Sequence, residues 1–237
     1  MSVIAQAGAK GRQLHKFGGS SLADAKCYLR VAGIMKEYSQ AGDMMVVSAA
    51  GSTTNQLISW LKLSQSDRLA AHQVQQSLRR YHTELIGGLL EPAAADTLIA
   101  AFIHDLERLA GLLDGGVSEA VYAEVVGHGE VWSARLMAAV LNQLGMEAAW
   151  LDARAFLRAE RAAQPQVDEG LSYPLLQQLM AQHPNKRLAV TGFISRNQAG
   201  ETVLLGRNGS DYSATQIGAL AGASRVTIWS DVAGVYS

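Results

Sequence analysis

Lys16-Phe17-Gly18-Gly19-Ser20-Ser21 decides how the rest of the chain is read. Gln13, Leu14 and His15 precede it, a run short enough to be a strand with Lys16 at its end. After it, Leu22, Ala25, Leu29, Ala32 and Met35 recur every three or four residues, the spacing of a buried helical face. Ser21, with Asp24 three residues on, predicts a capping-box-type start for that helix. The order is therefore strand, glycine turn, helix. A helix start flanked by glycines offers backbone N–H groups and the positive end of a dipole, which favours phosphate. A lysine beside it adds a mobile full charge, so the stretch describes an anion site suited to a polyphosphate. Gly-Gly before a helix is also an ordinary tight turn, and the stretch alone does not fix a ligand. The chain carries neither Gly-x-x-x-x-Gly-Lys-Ser/Thr nor Gly-x-Gly-x-x-Gly after a strand. A nucleotide bound here needs some other scaffold.

The pattern repeats along the chain. Met44-Met45-Val46-Val47-Ser48 is an apolar run entering Ala49-Ala50-Gly51-Ser52-Thr53-Thr54-Asn55, with a helix predicted from Gln56 to Leu63. Residues 64–113 read as helix, broken at Gly87-Gly88 and Glu91-Pro92, the pattern of a helical hairpin laid over a sheet. His82, His104, Arg79 and Arg80 read there as solvated helix faces. A further helical region runs from Ser118 to Val126, is interrupted at Gly127-His128-Gly129, and resumes at Glu130 through Leu144. Each glycine costs about 1 kcal/mol relative to alanine in a helix. Such a break calls for a turn or a close approach. Glu130 is then either a favourable first-turn acid or a carboxylate that binds an ammonium group.

Residues 147–151, 187–193 and 225–229 read as further strands, 173–183 and 214–221 as helices, and Thr202-Val203-Leu204-Leu205 as a hairpin arm. Strands alternate with helices, and most strands are continuously apolar. That argues for an α/β fold with a mainly parallel sheet covered on both faces. Ligands of such sheets gather beyond the carboxyl ends of the strands. The turns at 16–21, 48–55, 191–197 and 230–236 follow apolar strands and should converge there, with the loop at 206–213 joining them.

With 237 residues, 49% hydrophobic and 17% charged, the chain can bury a substantial core. A net charge of −1 gives no general attraction to nucleic acid or an anionic membrane, so neither is expected as a partner. The single cysteine, Cys27, cannot form an internal disulfide and reads as a small helical side chain. No signal peptide is visible, and no apolar run approaches the ~20 residues that span a bilayer. The expectation is a soluble cytoplasmic protein.

The converging turns bring Lys16 and Arg207 as cations, Glu130, Asp211 and Asp231 as acids, and several hydroxyls. A fork-shaped cation and an acid suit an amino acid zwitterion, and a lysine with glycine turns suits a polyphosphate. Together they point to phosphoryl transfer to an amino acid.

Five motifs then carry a resemblance. They are 16–21, Ser48 with Thr54-Asn55, Gly127-His128-Gly129-Glu130, Gly206-Arg207-Asn208-Gly209-Ser210-Asp211-Tyr212-Ser213, and Trp229-Ser230-Asp231-Val232-Ala233-Gly234-Val235-Tyr236. In this order they resemble the signatures of the aspartokinases, most closely the kinase portion of the bifunctional aspartokinase–homoserine dehydrogenases of the methionine branch. The resemblance implies the amino-acid-kinase (carbamate-kinase-like) fold, a three-layer α/β/α sandwich on a largely parallel sheet of about eight strands. Residues 1–12 are expected to be a flexible N-terminus and 13–237 a catalytic domain whose nucleotide half is incomplete at the C-terminal end. Carried over residue by residue, the resemblance implies that Lys16 bridges the transferred phosphoryl group, with Asp211 holding it in place. Gly18, Gly19 and Ser20 would donate to the phosphates, and Ser230, Asp231 and Tyr236 would contact the adenosine. Arg207 would take the α-carboxylate of aspartate and Glu130 its ammonium, with Ser48, Thr54, Phe193 and Ser210 lining the pocket. ATP is the implied co-substrate, with Mg²⁺ carried mainly by its phosphates, and a homo-oligomer is implied for the full-length protein. Asn208 stands where many relatives carry glycine; asparagine tolerates positive φ, so little change is expected. Ser52-Thr53 departs from the glycine-containing form of its turn. The alternatives are a fragment that binds aspartate or self-associates without turnover, and a kinase for glutamate or acetylglutamate.

Overall fold

The computed structural model describes residues 11–206 and 208–230. Five parallel strands form one sheet in the order β3-β4-β2-β1-β7: β1 Gln13–Phe17, β2 Met44–Val47, β3 Ala148–Leu151, β4 Arg187–Thr191 and β7 Arg225–Trp229. β5 Ile194–Arg196 and β6 Thr202–Leu204 pair separately as an antiparallel hairpin. Among the described residues the parallel sheet thus has five strands of the eight or so that the resemblance implies.

The reason β2 reads as an unbroken apolar run is visible in its packing. Met45 and Val47 join the core on one face with Phe17 and Ala189, while Met44 and Val46 join the other with Leu14, Leu188 and Val190. Both faces are covered, so both parities of the strand must be apolar. Each fully buried side chain of this kind contributes about 1.5–3 kcal/mol of transfer free energy. The first face carries α1 Ala25–Tyr38, α2 Thr53–Ser64, α3 Arg68–Gly87, α4 Pro92–Asp114, α5 Glu119–Val126 and α6 His128–Gln143. The second carries α7 Glu169–Gln182 and α8 Gly209–Leu220. The chain is an α/β/α sandwich. No helix among the described residues is long and apolar enough to cross a membrane.

Several local expectations shift. Ser20–Leu22 is a single 3-10 turn, and α1 begins only at Ala25. Its cap is Asp24 itself, whose carboxylate accepts from Cys27 N–H at 2.8 Å, rather than a box built on Ser21. Leu29 is exposed and Tyr28 and Val31 are buried instead, while Ala32 and Met35 are buried as expected. The break before α6 is one residue, Gly127, so His128 and Gly129 are already helical. α2 and α8 begin earlier than predicted, which places Thr53 and Thr54, and likewise Ser210 and Asp211, in first helical turns. His104, Arg79 and Arg80 are exposed as expected, but His82 is buried among Tyr81, Phe102 and Trp132. A lone histidine in a polar helix carries no periodic signal that separates the two outcomes.

Of the first twelve residues, Gly11 and Arg12 are described. Arg12 donates to Gly42 O at 2.7 Å and Ala221 O at 3.2 Å.

Candidate functional site

Because β1, β2, β4 and β7 are parallel, the turns that follow them open at one edge of the sheet. These turns are laced together by backbone bonds that extend the ladder past the strands. Ser48 N–H donates to Phe17 O at 3.1 Å, Gly51 N–H to Gly19 O at 2.9 Å, and Gly192 N–H to Val47 O at 3.0 Å. Gly19 is required by this lacing: a Cβ there would stand 2.7 Å from Ala49 O, inside any real contact.

Lys16 leaves the end of β1 and meets Asp211 of α8, Nζ to Oδ1 at 2.6 Å. The lysine side chain is 12% exposed and the aspartate 40%, so the pair sits at the surface of the laced turns. The ammonium lies over Gly18, 3.6 Å from where its Cβ would be. Asp211 occupies the first turn of α8, where the helix dipole favours an anion.

The start of α8 is fixed by unusual backbone. Asn208 caps it at φ 56°, ψ 25°, left-handed, the conformation asparagine tolerates. Phe193 is also at positive φ, 65°, and Ile194 N–H closes back onto Gly192 O at 2.7 Å, a γ-turn of the rare strained kind. Its surroundings hold it. Phe193 N–H donates to Ser213 Oγ at 2.9 Å, Ser213 donates to Gly209 O at 2.7 Å, and Leu205 N–H donates to Phe193 O at 2.8 Å. Gly192 lies against Ser210, and Gly209 against the Phe193 ring, with no room for a Cβ at either glycine.

Glu130, in the first turn of α6, is 3% exposed. Burial pushes its carboxyl up to about 8, against the opposing pull of hydrogen bonds from Ala49 N–H and its own N–H. Its Oε2 has no hydrogen-bond partner among the described residues. A buried carboxyl with one oxygen unmatched is a group waiting for a cation. His128, two residues earlier, is engaged elsewhere, 3.3 Å from Asp105 and 3.7 Å from Glu124.

Gly129 lets α6 approach this turn. A Cβ there would be 2.7 Å from Ala49 Cβ and 3.0 Å from Thr53 Cγ2, and Ala49 cannot move without its backbone. Gly129→Ala should therefore lower the melting temperature by about 3–10 °C through overpacking. Gly33→Ala, in α1 with open space at its Cβ, should raise it, because alanine is the better helix former. Two thermal melts check the pair. Equal shifts would show that the 49–53 contact is not tight.

Ser48 is half-buried beyond β2, Thr54 is half-buried in the first turn of α2, and Ser20 is exposed in the 3-10 turn. Ser210 faces Gly192, and Ser230 is exposed just past β7. Lys16, Gly18, Gly19, Ser48, Thr54, Glu130, Phe193, Ser210 and Asp211 all lie in the laced turns or the first helical turns that adjoin them. Arg207, Asp231 and Tyr236 lie outside the described residues. Ala49 was not singled out from sequence: it meets Glu130 through its peptide N–H, which leaves no side-chain signal. Among the described residues no group of three or more His, Cys, Asp or Glu could hold a metal ion.

The pattern of the amino acid kinase family matches residues 11–237. The chain is 85% identical over 237 residues to the bifunctional aspartokinase/homoserine dehydrogenase 2 of Escherichia coli (strain K12), covering 100% of this chain and 29% of that protein. It is 34% identical over 227 residues to the aspartokinase of Chlamydia pneumoniae, covering 94% of this chain and 48% of that protein. Among solved structures, E. coli aspartokinase III in complex with aspartate and ADP superimposes with a TM-score of 0.86 at 28% identity, over 95% of this chain and 50% of that one. The chain thus spans half or less of the length of these relatives. It belongs to the amino acid kinase family.

Proposed function

We propose that the chain carries the kinase activity that transfers the γ-phosphoryl group of ATP to the β-carboxylate of L-aspartate, giving aspartyl β-phosphate. The observation that carries this reading is the Lys16–Asp211 ion pair, which joins two turns far apart in sequence at the carboxyl edge of the sheet. The unmatched Glu130 carboxyl buried beside the 49–53 turn supports the amino-acid half.

The chemistry follows from charge. A β-carboxylate with a free pKa of ~3.9 is already ionised at neutral pH, so no general base is needed. The barrier is repulsion between two anions, and the remedy is cations, backbone donors and in-line placement. Lys16 supplies the mobile cation and Asp211 holds it. Gly18, Gly19 and Ser20 offer backbone donors to phosphate. Glu130 takes the ammonium and Arg207 the α-carboxylate, with Ser48, Thr54, Phe193 and Ser210 around the substrate and Ser230, Asp231 and Tyr236 on the adenosine side. Mg²⁺ carried on the nucleotide would offset part of its phosphate charge. The same reading makes this a cytoplasmic biosynthetic enzyme.

The test is an acyl-phosphate (hydroxamate) assay with ATP across aspartate, glutamate and acetylglutamate. Product is expected with aspartate alone. Acetylglutamate has no ammonium, so it would leave Glu130 buried and unmatched. Equal rates with acetylglutamate would remove the reading.

A further inference from the structure

The 49–53 turn is braced from behind by a side chain held among aromatic rings. His82 of α3 is 2% exposed, its ring 4.9 Å from that of Phe102 and 5.0 Å from those of Trp132 and Tyr81. Burial lowers its pKa to about 3, so the ring is neutral at any working pH and has one N–H. Its Nε2 lies 3.1 Å from Thr53 Oγ1, and Thr53 is fully buried. The Thr53 hydroxyl already gives its only proton to Ala50 O at 2.6 Å. Nε2 must therefore carry the imidazole proton, and the relay runs one way, His82 to Thr53 to Ala50.

What the relay holds is part of the site. Two peptides back from the Ala50 carbonyl, in the same turn, the Ala49 N–H donates to Glu130. Thr53 Cγ2 stands 3.0 Å from the point where a Cβ on Gly129 would be, one residue before Glu130. Thr53 thus holds the turn through its hydroxyl, at Ala50 O, and lies against the start of α6 through its methyl, at Gly129. Tyr81 adds a parallel strut, its hydroxyl donating to Ala23 O at 3.0 Å. A polar relay inside an aromatic cage is a poor stabiliser compared with apolar packing, which leaves its placement unexplained by folding alone.

We propose that His82, acting through Thr53, is a positioning residue that fixes the Ala49–Thr53 turn against Glu130 and so sets affinity for the ammonium end of the amino-acid substrate. This rests on the aspartate reading given above.

The experiment uses the full-length protein and measures KM for aspartate, KM for ATP, kcat and Tm for His82→Leu, His82→Gln, Thr53→Val and Thr53→Ser. Leucine and valine remove the hydrogen-bond partner. Glutamine restores a donor near the Nε2 position, and serine keeps the hydroxyl. His82→Leu and Thr53→Val are expected to raise KM for aspartate about tenfold, the size of one lost buried hydrogen bond, with KM for ATP and kcat within about twofold. His82→Gln and Thr53→Ser should stay within about threefold of the parent. His82→Gln nonetheless puts a carbonyl into an apolar cage and should melt below His82→Leu. Affinity and stability then rank the histidine variants in opposite orders, which a merely structural role does not produce. KM for aspartate that simply follows Tm overturns the proposal. So does an unchanged KM in His82→Leu and Thr53→Val while Glu130→Gln raises it, a result that leaves the aspartate reading intact. An unchanged KM in Glu130→Gln removes that reading and this inference together. Should the His82 variants fail to fold, the Thr53 pair decides alone.

Discussion

Lys16→Ala is expected to lower kcat by roughly a hundred- to a thousandfold while KM for aspartate moves only a few-fold, the loss typical of removing one group aimed at developing charge. Lys16 reaches Asp211 from the end of a strand pinned on both sides by β2 and β7, so its ammonium is placed before substrate arrives. As charge shifts between the two anions its attraction strengthens, and an interaction that strengthens in the transition state appears in kcat rather than KM. The alanine variant has a second fault. Asp211 loses its partner and becomes one more negative charge beside the phosphates. Removing both groups should therefore hurt less than the product of the single losses. Asp211→Asn, which frees Lys16 without removing it, should cost about tenfold. Stability should hardly change, because an ion pair whose aspartate is 40% exposed contributes little to folding. Steady-state kinetics on the three variants check this. A kcat near the parent value in Lys16→Ala would take the residue out of the chemistry.

How much of this was legible beforehand follows from where each signal resides. The strand–turn–helix rhythm and the covered sheet were readable, because burial on both faces forces runs such as 44–47 to be apolar throughout. The meeting of Lys16 and Asp211 was readable only through the rule that parallel strands end at one edge, joined to a family resemblance. α2 and α8 begin several residues before their expected starts because their first turns, Thr53-Thr54-Asn55 and Gly209-Ser210-Asp211, are built from residues that read equally well as loop; α1 begins later, because Ser20–Leu22 closes a 3-10 turn of its own and Asp24 is the cap. The left-handed Asn208 fits the expectation that asparagine can stand there in place of glycine. The γ-turn at Phe193 was not, since a phenylalanine at positive φ has no local preference behind it and is held by Ser213 and Leu205. His82 and Thr53 escaped for a related reason: their roles depend on each other across a helix pair, and neither is marked by spacing.

The second large effect concerns pH. In the ligand-free protein the Glu130 carboxyl is pushed up to about 8 by burial, so at pH 7 most molecules hold it protonated and neutral. An ammonium ligand needs the carboxylate, and binding below that pKa must expel a proton. KM for aspartate should accordingly fall as pH rises, by close to tenfold per unit below about 8, and level off above it. Calorimetric titration at pH 7 in buffers of different ionisation enthalpy should register release of nearly one proton per aspartate bound. Stability runs the other way. A carboxyl whose folded pKa lies above its unfolded one favours folding at low pH and loses that advantage as pH rises from its ordinary value of 4.5 to about 8. The ligand-free protein should melt lower at pH 8 than at pH 6, and aspartate should raise Tm more at pH 8. Glu130→Gln removes the titrating group. It should melt higher than the parent at pH 8, bind aspartate weakly, and show a KM flat across this range. That combination, a gain in stability with a loss of affinity, is expected of a group buried for function rather than for folding. A parent KM independent of pH, or the same pH dependence in Glu130→Gln, would assign the ammonium to another partner.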